Sequence, residues 1–134
     1  MSSPTPMNEE LSTLQQFFVD YDIESDSLLF RFAPPEDGET GIQLSSDVVV
    51  YVDFATKKAT ALLLLNFRLR GGAGAKFPVH TGMASLSNDE RQVLLPLLQR
   101  FPVSFFLRMP KRQKRSIELV RPTQDQLNEL VHAQ

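Results

Sequence analysis

Apolar and polar positions change period several times along this chain, and each change marks an element. Leu11, Leu14 and Phe18 fall near one helical stripe, which predicts a short helix from a cap at Asn8 to about Gln16. Phe17, Val19 and Tyr21 then alternate with Phe18, Asp20 and Asp22, the period of a strand, so the helix ends there. Tyr21–Ser27 reads as a turn rich in Asp and Ser, and a strand follows over Leu28–Phe32. Pro34–Gly41 reads as a loop. Val48–Phe54 and Thr60–Phe67 read as strands joined in a hairpin by Ala55-Thr56-Lys57-Lys58.

Gly71-Gly72-Ala73-Gly74-Ala75 reads as a flexible connector. Ser87-Asn88-Asp89-Glu90 is a capping box that opens a helix to about Gln99, with a kink or break expected at Pro96. Val103–Met109 and Arg115–Val120 read as strands on either side of a basic tip. Thr123-Gln124-Asp125-Gln126 is a second capping box, opening a last helix that turns Leu127, Leu130 and Val131 inward.

Two of the strands do not alternate. Val48-Val49-Val50-Tyr51-Val52 and Ala61-Leu62-Leu63-Leu64-Leu65 are continuous apolar runs, the mark of strands covered on both faces. Helices can cover one face, so the other calls for the N-terminal helix, a second subunit or a partner. The expected fold class is α+β: an antiparallel β-meander of about five strands with two or three helices packed on one face. Residues 1–7 are expected to be a flexible leader and 8–134 a single domain.

Composition narrows the class further. Hydrophobic residues at 42% and charged residues at 22% are globular values. There is no cysteine, which removes disulfides and thiolate chemistry. The first residues lack the pattern of a secretory signal, and no apolar run is long enough to span a membrane, so the expectation is a cytoplasmic protein with no membrane partner. The charges are sorted. Residues 1–53 hold eleven carboxylates and one cation, net −10, whereas residues 54–134 hold five carboxylates and thirteen cations, net +8. Such sorting suits reciprocal pairing of two copies in a homodimer, or pairing within one chain.

The stretch from Tyr21 to Phe67 has a definite order. Tyr21-Asp22 precedes a turn with Asp26, then the strand Leu28-Leu29-Phe30-Arg31-Phe32, a loop, Val48–Asp53, a turn, and Thr60–Leu65. This order resembles a family of small bacterial β-domains catalogued as a domain of unknown function. The resemblance covers about a third of the chain, implies an antiparallel meander and brings no activity. The family tends to carry an acidic residue and glycine at the second turn, where this chain has Ala55-Thr56-Lys57-Lys58. Residues 68–134 have no counterpart.

Candidate sites are few. Asp20, Asp22, Glu24 and Asp26 alternate as calcium ligands could, but an EF-hand counted from Asp20 meets Ser25 and Arg31 where it needs glycine and glutamate. Asp22 and Asp26 are therefore expected to cap turn amides, with no metal or cofactor bound. Gly71–Lys76 lacks the Gly-Lys-Ser/Thr ending of a phosphate loop. His80, with Thr81 and Ser85 nearby, lacks a nucleophile-elbow frame, which leaves a small hydrolase as a remote reading. Arg108, Lys111, Arg112, Lys114 and Arg115 form a basic tip with possible anion or nucleic-acid contact, or a solvated hairpin end. The sequence pI of about 5.6 disfavours nucleic acid.

The expectation is a non-enzymatic binding or accessory protein, an assembly factor or adaptor. A protein partner or peptide segment would dock in an apolar groove between strand Thr60–Phe67 and the helix after Ser87. Its contacts would be Phe77, Val79, Met83, Val93 and Leu97, unless Phe77 plugs the core.

Overall fold

The computed structural model describes residues 6–35, 37–78, 86–109 and 116–132. Helix α1 (Pro6–Leu14) leads into the hairpin β1 (Phe18–Asp22) and β2 (Ser27–Arg31). Three further strands follow, β3 (Glu39–Ser45), β4 (Val48–Asp53) and β5 (Lys58–Leu64). All five are antiparallel in the order β1-β2-β5-β4-β3, so the first hairpin joins the β3-β4-β5 meander through β2 and β5. A single helical turn, α2 (Phe67–Arg70), leads to a small second sheet of β6 (Lys76–Pro78), β7 (Leu107–Arg108) and β8 (Ser116–Leu119), ordered β6-β8-β7. Between β6 and β7 come α3 (Asn88–Leu98) and the one-turn α4 (Val103–Phe106); α5 (Gln124–His132) is the last helix. The α+β class with an antiparallel five-stranded sheet is as expected. Among the described residues no helix is long and apolar enough to cross a membrane.

The strand period of two assigns each face of the large sheet. Val19, Phe30, Leu62, Val50 and Ile42 stand side by side across all five strands and are buried. Leu14 of α1, Leu94 and Leu98 of α3, Phe106 of α4, Leu127 of α5 and Ile117 of β8 join them in one core. The next row on the opposite face is Asp20, Leu29, Leu63, Val49 and Gln43. Its three aliphatic residues are half-exposed and stand apart from the core cluster. On this second face Ala61 is fully buried and the others of the two runs are half-buried, so among the described residues the runs are less covered here than on the core face.

Several local expectations are corrected. The loop read over Pro34–Gly41 is shorter, because β3 starts at Glu39 and turns Ile42 and Leu44 inward with Gly41 and Gln43 outward. The strand expected over Thr60–Phe67 stops at Leu64 and its last residue, Phe67, opens α2; Val103–Phe106 is a helical turn rather than a strand, burying Val103 and Phe106 three positions apart. Pro96 does not break α3; it lies in the last turn, and the helix ends at Leu98. The glycine stretch is a pinned connector. Ala73 N–H donates to Pro122 (3.1 Å) and Gly74 N–H to Leu119 (2.7 Å). Gly72 has φ 72°, and a Cβ there would meet Phe67, Pro122 and the Gln124 amide at 3.3 Å.

Turn carboxylates lock the sheet to α2. Asp26, in the left-handed conformation at φ 55°, accepts from the Tyr21 hydroxyl (2.6 Å) and from the amides of Arg68 (2.9 Å) and Leu69 (3.1 Å). Asp22 accepts from the Glu24 amide (3.0 Å), so both act as turn caps. Asp47, buried in the β3–β4 turn, accepts from Asn66 (2.9 Å) and Arg70 (2.6 Å). The Arg70–Asp47 pair and the Arg121–Glu10 pair (3.0 Å) each join a carboxylate of the acidic half to a cation of the basic half. The sorted charges therefore meet within one chain.

Burial alone would raise the Asp26 carboxyl, but the Tyr21 hydroxyl, the two amides and the Arg68 charge hold it below the usual carboxylate range. Hydrogen bonds from Arg31 first, and from Thr60, likewise hold Glu39 low against its burial. Groups with lowered folded-state pKa contribute stability that is complete above the ordinary carboxylate range and lost as pH falls through the folded value. Asp26→Asn should therefore lower the unfolding free energy at pH 7 by about 1–2 kcal/mol, the scale of a few charge-assisted hydrogen bonds at a partly exposed site. It should also flatten the loss of stability between pH 5 and pH 3, with Glu39 retaining the remainder. Urea denaturation of both proteins across that range would show it; parallel curves would assign the acid sensitivity elsewhere.

Candidate functional site

Six phenylalanines make a continuous path from the core to the surface. Phe30 and Phe106 are fully buried, with ring centres 4.5 Å apart. Phe106 touches Phe32 and Phe17, each at 5.7 Å, and those two meet edge-on at 5.2 Å. Phe17 in turn contacts Phe101 at 5.9 Å, and Phe101 is 61% exposed. Phe105 closes the group against Phe101 and Phe106, with the Arg121 guanidinium 4.5 Å above its ring. Edge-on and tilted arrangements are the favoured geometries of such rings.

The outer end of this path forms the wall of a cleft of about 640 Å³. It lies between the start of β5 and the segment that follows α3. Phe17, Phe32 and Phe101 line it, together with Leu97 and Pro102. Lys57, Lys58 and Arg100 stand on its rim, all exposed. Asp53 also borders it, but its carboxylate is occupied: it accepts from the Ala55 and Thr56 amides at 3.0 and 3.4 Å. A smaller depression of about 410 Å³ continues along α3 past Gln92 and Val93, and shares Lys57 and Arg100 with the cleft. Apolar and polar residues share the lining of the cleft about equally, with Asp53, Thr56 and Thr60 beside the three cations.

Local chemistry places these groups. The Asp53 cap folds the β4–β5 turn, and Lys57 completes it at φ 58°. That left-handed position ordinarily takes glycine. The Ser87/Glu90 capping box fixes the start of α3, with Ser87 Oγ accepting from the Glu90 amide (3.1 Å) and the Glu90 carboxylate accepting from the Ser87 amide (2.9 Å). Near the other end, Arg100 Nε donates to the Pro96 carbonyl (3.3 Å), which orients the guanidinium beside the cleft.

The expected groove residues are divided by the fold. Leu97 lines the cleft between β5 and the end of α3, and Val93 lines the adjoining depression. Phe77 does not border it; it is 3% exposed and sits in the core, with Arg70 over its ring at 5.9 Å. Val79 and Met83 lie outside the described residues, as do His80, Lys111, Arg112, Lys114 and Arg115. Arg108 is exposed beside a separate depression of about 310 Å³. The alternating carboxylates do not converge, and among the described residues no group of three His, Asp or Glu could hold a metal. Sequence reasoning missed Phe17, Phe32, Phe101 and Arg100, whose association depends on segments far apart in the chain. It met Lys57 only as a turn residue, although lysine in a glycine position was a signal.

Comparisons with protein-family models, with curated proteins and with solved structures found no match to this chain.

The core position of Phe77 has a measurable consequence. Phe77→Ala should cost about 3–5 kcal/mol in urea denaturation, as truncation of a buried aromatic does. A loss below about 1 kcal/mol would be incompatible with that burial.

Proposed function

We propose that this chain is a non-enzymatic binding or accessory protein, an adaptor or assembly factor, that holds a segment of a protein partner in the cleft between β5 and α3. The observation that carries this reading is the aromatic path that ends in the open at Phe101. A large ring that is 61% exposed, backed by rings that are not, is a rigid contact surface of the kind found at interaction hot spots. The displaced ionisable groups point the same way. Tyr21, Asp26, Arg31 and Glu39 are all engaged in holding the sheet, and none borders the cleft. Selection of displayed peptides tests the reading. Sequences enriched on the native protein should fail to bind Phe101→Ala, whose fold should persist because the ring is exposed. Equal enrichment on both proteins would remove the cleft as the binding site.

We propose further that two copies pair through the less covered face of the large sheet. Leu29, Leu63 and Val49 form a half-exposed apolar row there, bounded by Asp20 on one edge and Gln43 on the other. Tyr51 lies across Gly41, where a Cβ would meet its ring at 3.0 Å, and this keeps that side of the face low. A two-fold axis along the strands would lay β1 of one copy over β3 of the other, bringing Asp20 near Gln43 instead of near its own copy. Five strands at about 4.8 Å spacing give a face roughly 20 Å across and, at about six residues a strand, roughly 20 Å long; buried from both copies this is about 800 Å², the size of a weak, reversible pairing. Sedimentation over a concentration series should reveal a species of twice 15.2 kDa. Leu63→Lys should weaken it about tenfold or more, and high salt should not. A monomer throughout, or a dimer that dissolves in salt and ignores Leu63→Lys, would exclude the sheet face.

A further inference from the structure

The cleft's rim is specific about charge. Lys57, Lys58 and Arg100 are exposed, and none forms an ion pair among the described residues. The carboxylate that borders the cleft, Asp53, is buried and already accepts two amide hydrogen bonds. Arg100 is held through Nε to the Pro96 carbonyl, which leaves its terminal nitrogens directed to other acceptors. A cationic rim over a phenylalanine wall complements an anion attached to an apolar group.

Backbone strain supplies an independent observation. Lys57 occupies a left-handed position at φ 58°, where glycine would sit without steric cost. Strain of this kind persists where the surrounding structure holds it, as it does at Asp26 and Asn66, and it fixes where the Lys57 side chain starts. Lys57 and Arg100 are also the two cations common to the cleft and to the depression beside it, so the strained lysine stands where the two spaces join. At the far side of the depression lies Asp89, in the first turn of α3, which limits how far an acidic chain can extend.

We infer that the cleft binds an acidic peptide segment bearing one aromatic side chain, whose ring enters against Phe17, Phe32 and Phe101 while neighbouring carboxylates meet Lys57, Lys58 and Arg100. This rests on the cleft being the partner's seat. The ring continues the path Phe30–Phe106–Phe17–Phe101 by one more member. The guanidinium of Arg100 offers a paired-donor edge suited to a carboxylate, and the lysines act as point charges. Rings beside cations also suit single-stranded nucleic acid. A peptide fits better, because it can bring a few carboxylates to the rim and turn the rest of its chain away. A phosphate strand carries its charge along its whole length, whereas the rim offers three cations in one place.

The test is fluorescence anisotropy on the full chain with a labelled short peptide holding one Trp among Asp and Glu residues. Three comparison probes are the same peptide with Asn and Gln for its acids, the same peptide with Ala for Trp, and a single-stranded oligodeoxynucleotide. The acidic aromatic peptide should bind, and each altered peptide should bind about tenfold more weakly or worse. Lys57→Gly combined with Arg100→Gln should weaken the acidic peptide by a similar factor and leave the neutral one unchanged. Both positions are exposed, and circular dichroism checks the fold of the variant. Equal binding of acidic and neutral peptides would overturn the charge inference and leave the cleft as an apolar seat. Binding that ignores Phe101→Ala, or the failure of every peptide to bind, would overturn the cleft reading as well. An oligonucleotide that binds more tightly and depends on the same cations would overturn the ligand class.

Discussion

A single helical turn gripped by two turn carboxylates holds the large sheet in its order. Asp26 belongs to the β1–β2 turn and Asp47 to the β3–β4 turn, and both bind α2, which directly follows β5. The two hairpin systems are thereby tied at one point to the end of the strand they share. Slippage of β5 by one residue against β2 or β4 would exchange its buried and exposed faces and pull α2 away from both carboxylates. Tyr21 joins the same knot, since its hydroxyl donates to Asp26.

The same core that stabilises the molecule builds the proposed site. Phe30 and Phe106 are interior residues by every measure of burial, yet they continue through Phe17 to a ring in solvent. A wall anchored this way keeps its shape without a ligand, because each ring is fixed by the one behind it. The cations come from elements with different tasks, a tight turn and the end of a helix. They meet at the rim because β5 starts where α3 finishes.

Much of this was legible in the sequence where chemistry is local. The aliphatic runs marked β4 and β5, and both capping boxes form as read: Gln126 N–H donates to Thr123 Oγ1 (3.0 Å) and Thr123 N–H to the Gln126 side chain (2.9 Å). β3 was hidden because it is an edge strand with two inward aliphatics, Ile42 and Leu44, following Gly38 and preceded by a proline-rich loop. α4 was misread because Val, Phe and Phe favour strands, whereas tertiary packing rewards the helical spacing of Val103 and Phe106. The cleft was half visible. Its place between β5 and α3 followed from sequence order, but its lining spans Phe17 to Pro102 and has no local period. Phe77 was left between groove and core for the same reason, since nothing near it in the chain announces the second sheet, and the core alternative is the one that holds.

Glu10 of α1 reaches the far end of the chain. Its carboxylate accepts from Gln126 of α5 (2.8 Å) and pairs with Arg121 (3.0 Å), whose other terminal nitrogen donates to the Phe105 carbonyl (2.9 Å). The first and last helices therefore lie against each other on the side of the sheet that holds the core. Neither helix can detach without breaking its contacts to the other, so α1 and α5 open together and not one at a time.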